Sequence, residues 1–170
     1  MPLSSDPRVP LVHAETDEAI LATWDTMALL RPHLRREDYL ATVRRMGADG
    51  GYRLAVATEA GAVRAVAGYR IVETLYGGRT LVVDDLVTAE GSRSAGHGGR
   101  LLRALREHAG REGCTQIHLD SGVQRTRAHR FYAREGFSVV GLHFVADAMV
   151  PPPPGAEPPP GRSERGRPTG

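Results

Sequence analysis

The chain has no lysine and no asparagine among its 170 residues, and all 22 basic residues are arginine. Without lysine, the Gly-Lys-Ser/Thr core of a nucleoside-triphosphate loop cannot be present. The arginine excess, beside abundant Ala, Gly and Pro, reads as a GC-rich coding bias and not as a functional signal. The formal net charge is only +2, which argues against a nucleic-acid partner. One cysteine, Cys114, excludes an intrachain disulfide and fits a reducing compartment such as the cytoplasm. No run approaches the roughly 18 apolar residues of a membrane span, and the first residues lack the apolar core of a signal peptide. The scattered histidines and the lone cysteine make no metal-ligand spacing, so no metal is expected.

What is there is organised around Thr80–Leu105, which reads as strand, glycine loop and helix. Thr80–Thr88 is rich in Val, Leu and Thr, as a buried strand is. Arg93-Ser94-Ala95-Gly96-His97-Gly98-Gly99 follows as a loop. Leu101, Leu102, Leu105 and Ala109 then recur at helical spacing, so one apolar stripe faces a core. A glycine loop between a strand and a helix N-terminus is an anion site, because free N–H groups and the positive end of the helix dipole converge there. The dinucleotide fingerprint G-x-G-x-x-G fails here at its last glycine, since Leu101 stands there. The pattern Arg/Gln-x-x-Gly-x-Gly/Ala is filled, by Arg93, Gly96 and Gly98.

In chain order, Arg8–His13 reads as a first strand. A helix opens at Thr16 and runs to Pro32, and a second covers Arg35–Met46. Tyr52–Glu59, Val63–Leu75 and Thr80–Thr88 are three strands joined by short turns, hence antiparallel. Gly68 within the second of them marks a bulge or a close backbone approach. After the glycine-loop helix, Gln116–Asp120 is a strand parallel to Thr80–Thr88, because a helix crosses between them. Thr126 is placed to cap a helix over Arg127–Glu135, and Ser138–Val145 reads as a last strand. From Pro151 the chain is PPPPGAEPPPGRSERGRPTG, which has nothing to bury and is expected to stay disordered. The fold class is α/β (α+β): a mixed, mostly antiparallel central sheet flanked by helices, with one β-α-β unit.

A second constellation, Ala128-His129-Arg130-Phe131-Tyr132-Ala133-Arg134-Glu135-Gly136-Phe137, fits A-x-x-F-Y-x-x-x-G-F. Together with R-x-x-G-x-G after a strand, it makes the chain resemble the GCN5-related N-acetyltransferases (GNAT) over Thr80–Phe137. The change of composition at Pro151 divides the chain into a domain over residues 1–150 and a tail over 151–170, and the resemblance implies acetyl-CoA as co-substrate. It implies that the N–H groups of Ser94, Ala95, Gly96, His97, Gly98 and Gly99, with Arg93, hold the pyrophosphate, and that the pantetheine arm pairs with Leu86, Val87 and Thr88. Family members often carry Asn seven residues before the tyrosine; Arg125 stands there and could serve a phosphate.

The implied chemistry is transfer of the acetyl group to an amine. Tyr132 would protonate the leaving thiolate, since a phenol of pKa ~10 is protonated at neutral pH. Asp84 would be the base through a water, and Asp85 an amine or structural anchor; only one of these neighbours in a strand can point into the cleft. A non-catalytic acyl-CoA-binding module is the competing class. The acceptor is a small-molecule or peptide amine, with no nucleic-acid or membrane partner and a monomeric or homodimeric state.

Overall fold

The computed structural model describes residues 11–92 and 95–148. Its frame is a five-stranded sheet in sequence order. The strands are β1 (Val12–His13), β2 (Arg53–Glu59), β3 (Ala62–Thr74), β4 (Gly78–Thr88) and β5 (Gln116–Leu119). β1 to β4 pair antiparallel, and β5 lies parallel to β4, as the intervening helix requires. Of the expected first strand only its last two residues are β1; Arg8 to Pro10 lie outside the described residues.

The helices before β2 are α1 (Asp17–Ala22), α2 (Trp24–Ala28) and α3 (Arg36–Gly50). Thr16 caps α1 as its sequence position predicts, accepting from the Ala19 N–H at 3.2 Å. The single helix expected up to Pro32 is instead broken at Thr23. The Thr23 hydroxyl donates to the Ile20 carbonyl at 2.6 Å and is bonded to the Tyr39 hydroxyl at 2.8 Å. It thus competes with the helical ladder and ties the break to α3. After β4 come α4 (His97–Arg111) and α5 (Thr126–Arg134). Thr126 is the first residue of α5 and not its cap: Arg125 holds the cap position, and no side chain bonds the helix there.

The sheet is buried on both faces because β2 alternates between two cores. Ala55, with Ala65, Ala67, Tyr69 and Leu81, packs under Leu101, Leu102, Leu105 and Ala109 of α4. Leu54 and Val56 face Ile20, Met27, Tyr39 and Val43 of the three N-terminal helices. The run of small alanines on the first face lets α4 close onto the sheet.

The described residues form two units, 11–139 and 140–148. Ser138–Val145 does not form the expected strand. Val139, Val140, Leu142, Phe144 and Val145 are between 77% and 91% exposed. The residue types suit a strand, but a strand also needs a neighbouring backbone for its N–H and C=O groups, and this segment has none among the described residues. The proline-rich tail over 151–170 lies outside the described residues.

Candidate active site

The last two strands of the sheet part before β4 ends. β4 and β5 pair from Thr80–Gln116 to Val83–Leu119, and there the ladder stops. β4 continues to Thr88, still paired on its other side, with Leu86 opposite Ala67, Val87 opposite Val66 and Thr88 opposite Ala65. The backbone of residues 84–88 on the β5 side therefore has no strand beside it among the described residues. Such groups need a hydrogen-bonding partner. Just past β5, the Ser121 hydroxyl oxygen is buried and has no partner among the described residues. An open strand edge, with a buried, unpartnered hydroxyl two residues past the end of the neighbouring strand, fits an extended ligand with amide groups of its own.

The glycine loop leads from this edge into α4. Ala95 is exposed, and Gly96 caps α4 with φ at +81°, a conformation that favours glycine. His97, Gly98 and Gly99 are the first residues of α4, so their N–H groups are free of helical partners. A Cβ on Gly98 would stand 3.2 Å from the Thr88 hydroxyl and 3.8 Å from the Phe131 ring. The loop is thus pressed between the end of β4 and α5, and the two sequence signatures meet at this point. Gly99 makes room for Glu135, which is paired with Arg103 at 3.0 Å and fastens α5 to α4. The His97 imidazole is not at the loop surface. It is 3% exposed, accepts from the Arg100 guanidinium at 2.9 Å and faces Glu59 at 3.7 Å. Any part it plays at the loop falls to its backbone N–H. Arg93 and Ser94 lie outside the described residues.

Tyr132 projects from α5 beside Phe131 and Phe137, with ring centroids 5.3 and 6.1 Å away. Burial pushes its phenol above the usual value, while the nearby Arg125 guanidinium pulls the other way. It is protonated at neutral pH. Its hydroxyl is bonded to no described residue.

The two carboxylates on β4 overturn one expectation. Strand alternation would send Asp84 and Asp85 to opposite faces, but both line the same cavity. The register explains it: Gly68 pairs with Asp85 and Tyr69 with Val83, so Asp84 is the extra residue of a β-bulge. Asp84 is bound in two-point fashion by Arg70, at 2.9 and 3.2 Å. Asp85 is buried and accepts from Arg31 Nε at 2.6 Å and from the Tyr52 hydroxyl at 2.7 Å. Arg31 also donates to the Asp84 carbonyl at 3.0 Å, so one guanidinium holds both the carboxylate and the bulge. Burial and the Asp85 charge push the Tyr52 phenol far up, which keeps it a donor. Tyr52 reaches Asp85 by lying across Gly68, where a Cβ would stand 1.8 Å from its hydroxyl oxygen.

Arg31, Tyr52 and Arg70 are absent from the sequence-derived site. They approach the aspartates from 54, 33 and 14 residues away, where no spacing rule applies. Gly68 is the one signal the sequence carries: its place inside a strand marks a close approach without saying by what.

β4 thus opens beside the α4 N-terminus, with Tyr132 on α5, the helix that meets that terminus through Phe131, and two carboxylates along the same strand. The comparisons identify the family. The model of the acetyltransferase (GNAT) family matches residues 15–137. The uncharacterized N-acetyltransferase YhdJ of Bacillus subtilis strain 168 is 34% identical over 123 residues, 72% of this chain and 87% of that one. A candidate acetyltransferase of Agrobacterium tumefaciens strain C58 has a TM-score of 0.71 at 26% identity, covering 82% of this chain and all (100%) of its own. The aminoglycoside N-acetyltransferase AAC(6')-Iy, solved with CoA, shares the fold with a TM-score of 0.70 at 16% identity, over 85% of this chain and 99% of that one. The chain belongs to the GNAT family and is an acetyl-CoA-dependent acyltransferase.

Among the described residues no helix is long and apolar enough to cross a membrane.

Proposed function

We propose that the protein transfers the acetyl group of acetyl-CoA to a primary amine by direct attack. The observation that carries this reading is the junction of the open β4 edge, the α4 N-terminus and α5 around Gly98, where Phe131, the neighbour of Tyr132, closes the contact. The N–H groups of Ala95, Gly96, His97, Gly98 and Gly99, with Arg93 and Ser94, hold the pyrophosphate. The amides of Leu86, Val87 and Thr88 receive the pantetheine arm, and Ser121 adds a hydrogen-bonding group. Arg125 at the head of α5 serves a phosphate or steadies the phenol. The domain occupies residues 1–150, and the tail over 151–170 takes no part in the chemistry.

The acceptor arrives as an ammonium. Asp84 receives it and takes one proton through a water, while Arg70 keeps the carboxylate oriented. Asp85 anchors the strand, with Arg31 and Tyr52 as its fixed partners. The amine nitrogen bonds to the thioester carbonyl carbon, a backbone N–H of β4 stabilises the oxyanion, and the C–S bond then breaks. Tyr132 gives its proton to the leaving sulfur and recovers one as the amide nitrogen loses its second. The acetamide and CoA thiol leave, and Asp84 passes the proton it took through the water to solvent, which restores the carboxylate.

Replacing Tyr132 by Phe tests this. Thiol release should fall about 100-fold or more with acetyl-CoA affinity little changed. An unaltered rate removes Tyr132 from the mechanism, and no thiol release by the wild-type protein with any amine would favour an acyl-CoA-binding module.

A further inference from the structure

The cavity that receives Asp84 and Asp85 has a volume of about 540 Å³, within the usual range for small-molecule sites. It lies between α3, the segment joining α2 to α3, and the middle of β3 and β4. Its interior is apolar: Met27 and Val43 are buried there, Leu34 packs beside them, and Met46 covers the outer side. Its charged lining is Arg31, Arg45, Arg70, Asp49, Asp84 and Asp85, three of each sign, with a formal sum of zero. Four of the six are spent on one another, as Arg31 with Asp85 and Arg70 with Asp84. Arg45 and Asp49 stand one turn apart on the exposed side of α3, where they offset each other in solvent. Asp84 is the more open of the two strand carboxylates, with 27% of its side chain exposed against 9% for Asp85.

We propose that this cavity takes a small acceptor carrying a single ammonium group on an apolar or aromatic body; the proposal rests on the acetyl-transfer reading. The ammonium sits at Asp84, and the body fills the space between Leu34, Val43 and the two methionines. The unbranched thioethers of Met27 and Met46 adapt to bodies of differing shape. A polyamine brings two or more positive charges to a lining that sums to zero and already has an arginine on each strand carboxylate. Each extra ammonium would lose its water without gaining a counter-ion. A free amino acid brings a carboxylate, but the two arginines beside Asp84 are committed to aspartates.

The test is the rate of CoA thiol release by the full chain with four acceptors at saturating acetyl-CoA. They are 2-phenylethylamine, spermidine, L-phenylalanine and a terminally blocked lysine tetrapeptide. The expected result is a kcat/KM for 2-phenylethylamine at least ~10-fold above the other three. Met46→Asp, at a position 39% exposed and so tolerant of change, puts a carboxylate on the apolar wall. It should cut the phenylethylamine rate by ~10-fold and raise that with spermidine. Spermidine, the amino acid or the peptide leading would overturn the proposal. So would four inert acceptors in a protein whose melting temperature acetyl-CoA still raises. If acetyl-CoA produces no such rise, it is the acetyl-transfer reading beneath the proposal that fails.

Discussion

Replacing Gly68 by alanine should damage this protein through Tyr52 alone. A Cβ at position 68 would stand 1.8 Å from the Tyr52 hydroxyl oxygen and 2.4 Å from the ring carbon bearing it. No side chain tolerates that, so the ring must leave. The phenol then loses its bond to the Asp85 carboxylate, worth about 1.5–3 kcal/mol for a charged acceptor. Repacking of a ring that is 7% exposed adds about 1–3 kcal/mol. Gly68 has no positive φ, so alanine itself fits the backbone and returns about 0.4–1 kcal/mol through the unfolded chain. The net loss is about 2–5 kcal/mol, a fall in melting temperature of roughly 5–15 °C for a domain of this size. The assay is a double-mutant cycle by urea or thermal unfolding. Tyr52→Ala alone should cost about 3–5 kcal/mol. Adding Gly68→Ala on that background should cost nothing, because the ring is gone. Equal losses from Gly68→Ala on both backgrounds would refute the argument and leave the glycine unexplained.

Four further outcomes are expected. Arg31→Ala leaves Asp85 buried without its cation and should cost about 1–2 kcal/mol, less than a fully buried pair because the arginine side chain is 41% exposed. Arg31→Lys should recover little of it in chemical denaturation, since an ammonium cannot bond both the Asp85 carboxylate and the Asp84 carbonyl in the guanidinium's fork. In both variants the acceptor KM should rise while acetyl-CoA affinity stays put, as titration of each substrate in turn would report. Stability should also fall at mildly acidic pH. His13 and His108 both bond the Tyr69 hydroxyl, at 2.7 and 3.1 Å, and burial lowers both imidazoles from 6.5. Below 6.5 the unfolded chain binds protons that the folded one does not, so stability drops as pH falls through that window. Glu15 and Glu112 oppose the lowering, and Arg53 and Arg111 add to it. Melting curves of His13→Gln and of the wild-type protein from pH 7.5 down to 5 should differ in slope, with the variant the flatter.

The parts of the site that depend on neighbours along the chain are legible in the sequence. The strand, the glycine loop and α4 follow from residue type and spacing, and so does the helical face that carries Phe131 and Tyr132. What is not legible depends on partners far along the chain. The bulge at Asp84 defeats the alternation rule because one extra residue shifts the face of everything beyond it. The break at Thr23 depends on a hydroxyl that bonds Ile20 and also Tyr39, and the second partner is 16 residues away, outside a local window around Thr23. Ser138–Val145 has the composition of a strand, but composition cannot supply the second backbone that makes one. His97 lies among glycines in the sequence, and nothing next to it there announces that its imidazole is buried, bonded to Arg100 and facing Glu59.

The central claim is that the open edge of β4 and the α4 N-terminus together hold acetyl-CoA. The direct measurement is thermal unfolding with acetyl-CoA, beside NAD and ATP as controls. At about 100 times its dissociation constant a ligand adds ~2.7 kcal/mol, which is several degrees here. A rise with acetyl-CoA and none with NAD or ATP is the predicted result. No rise at millimolar acetyl-CoA, or an equal rise with ATP, would contradict the account at its base.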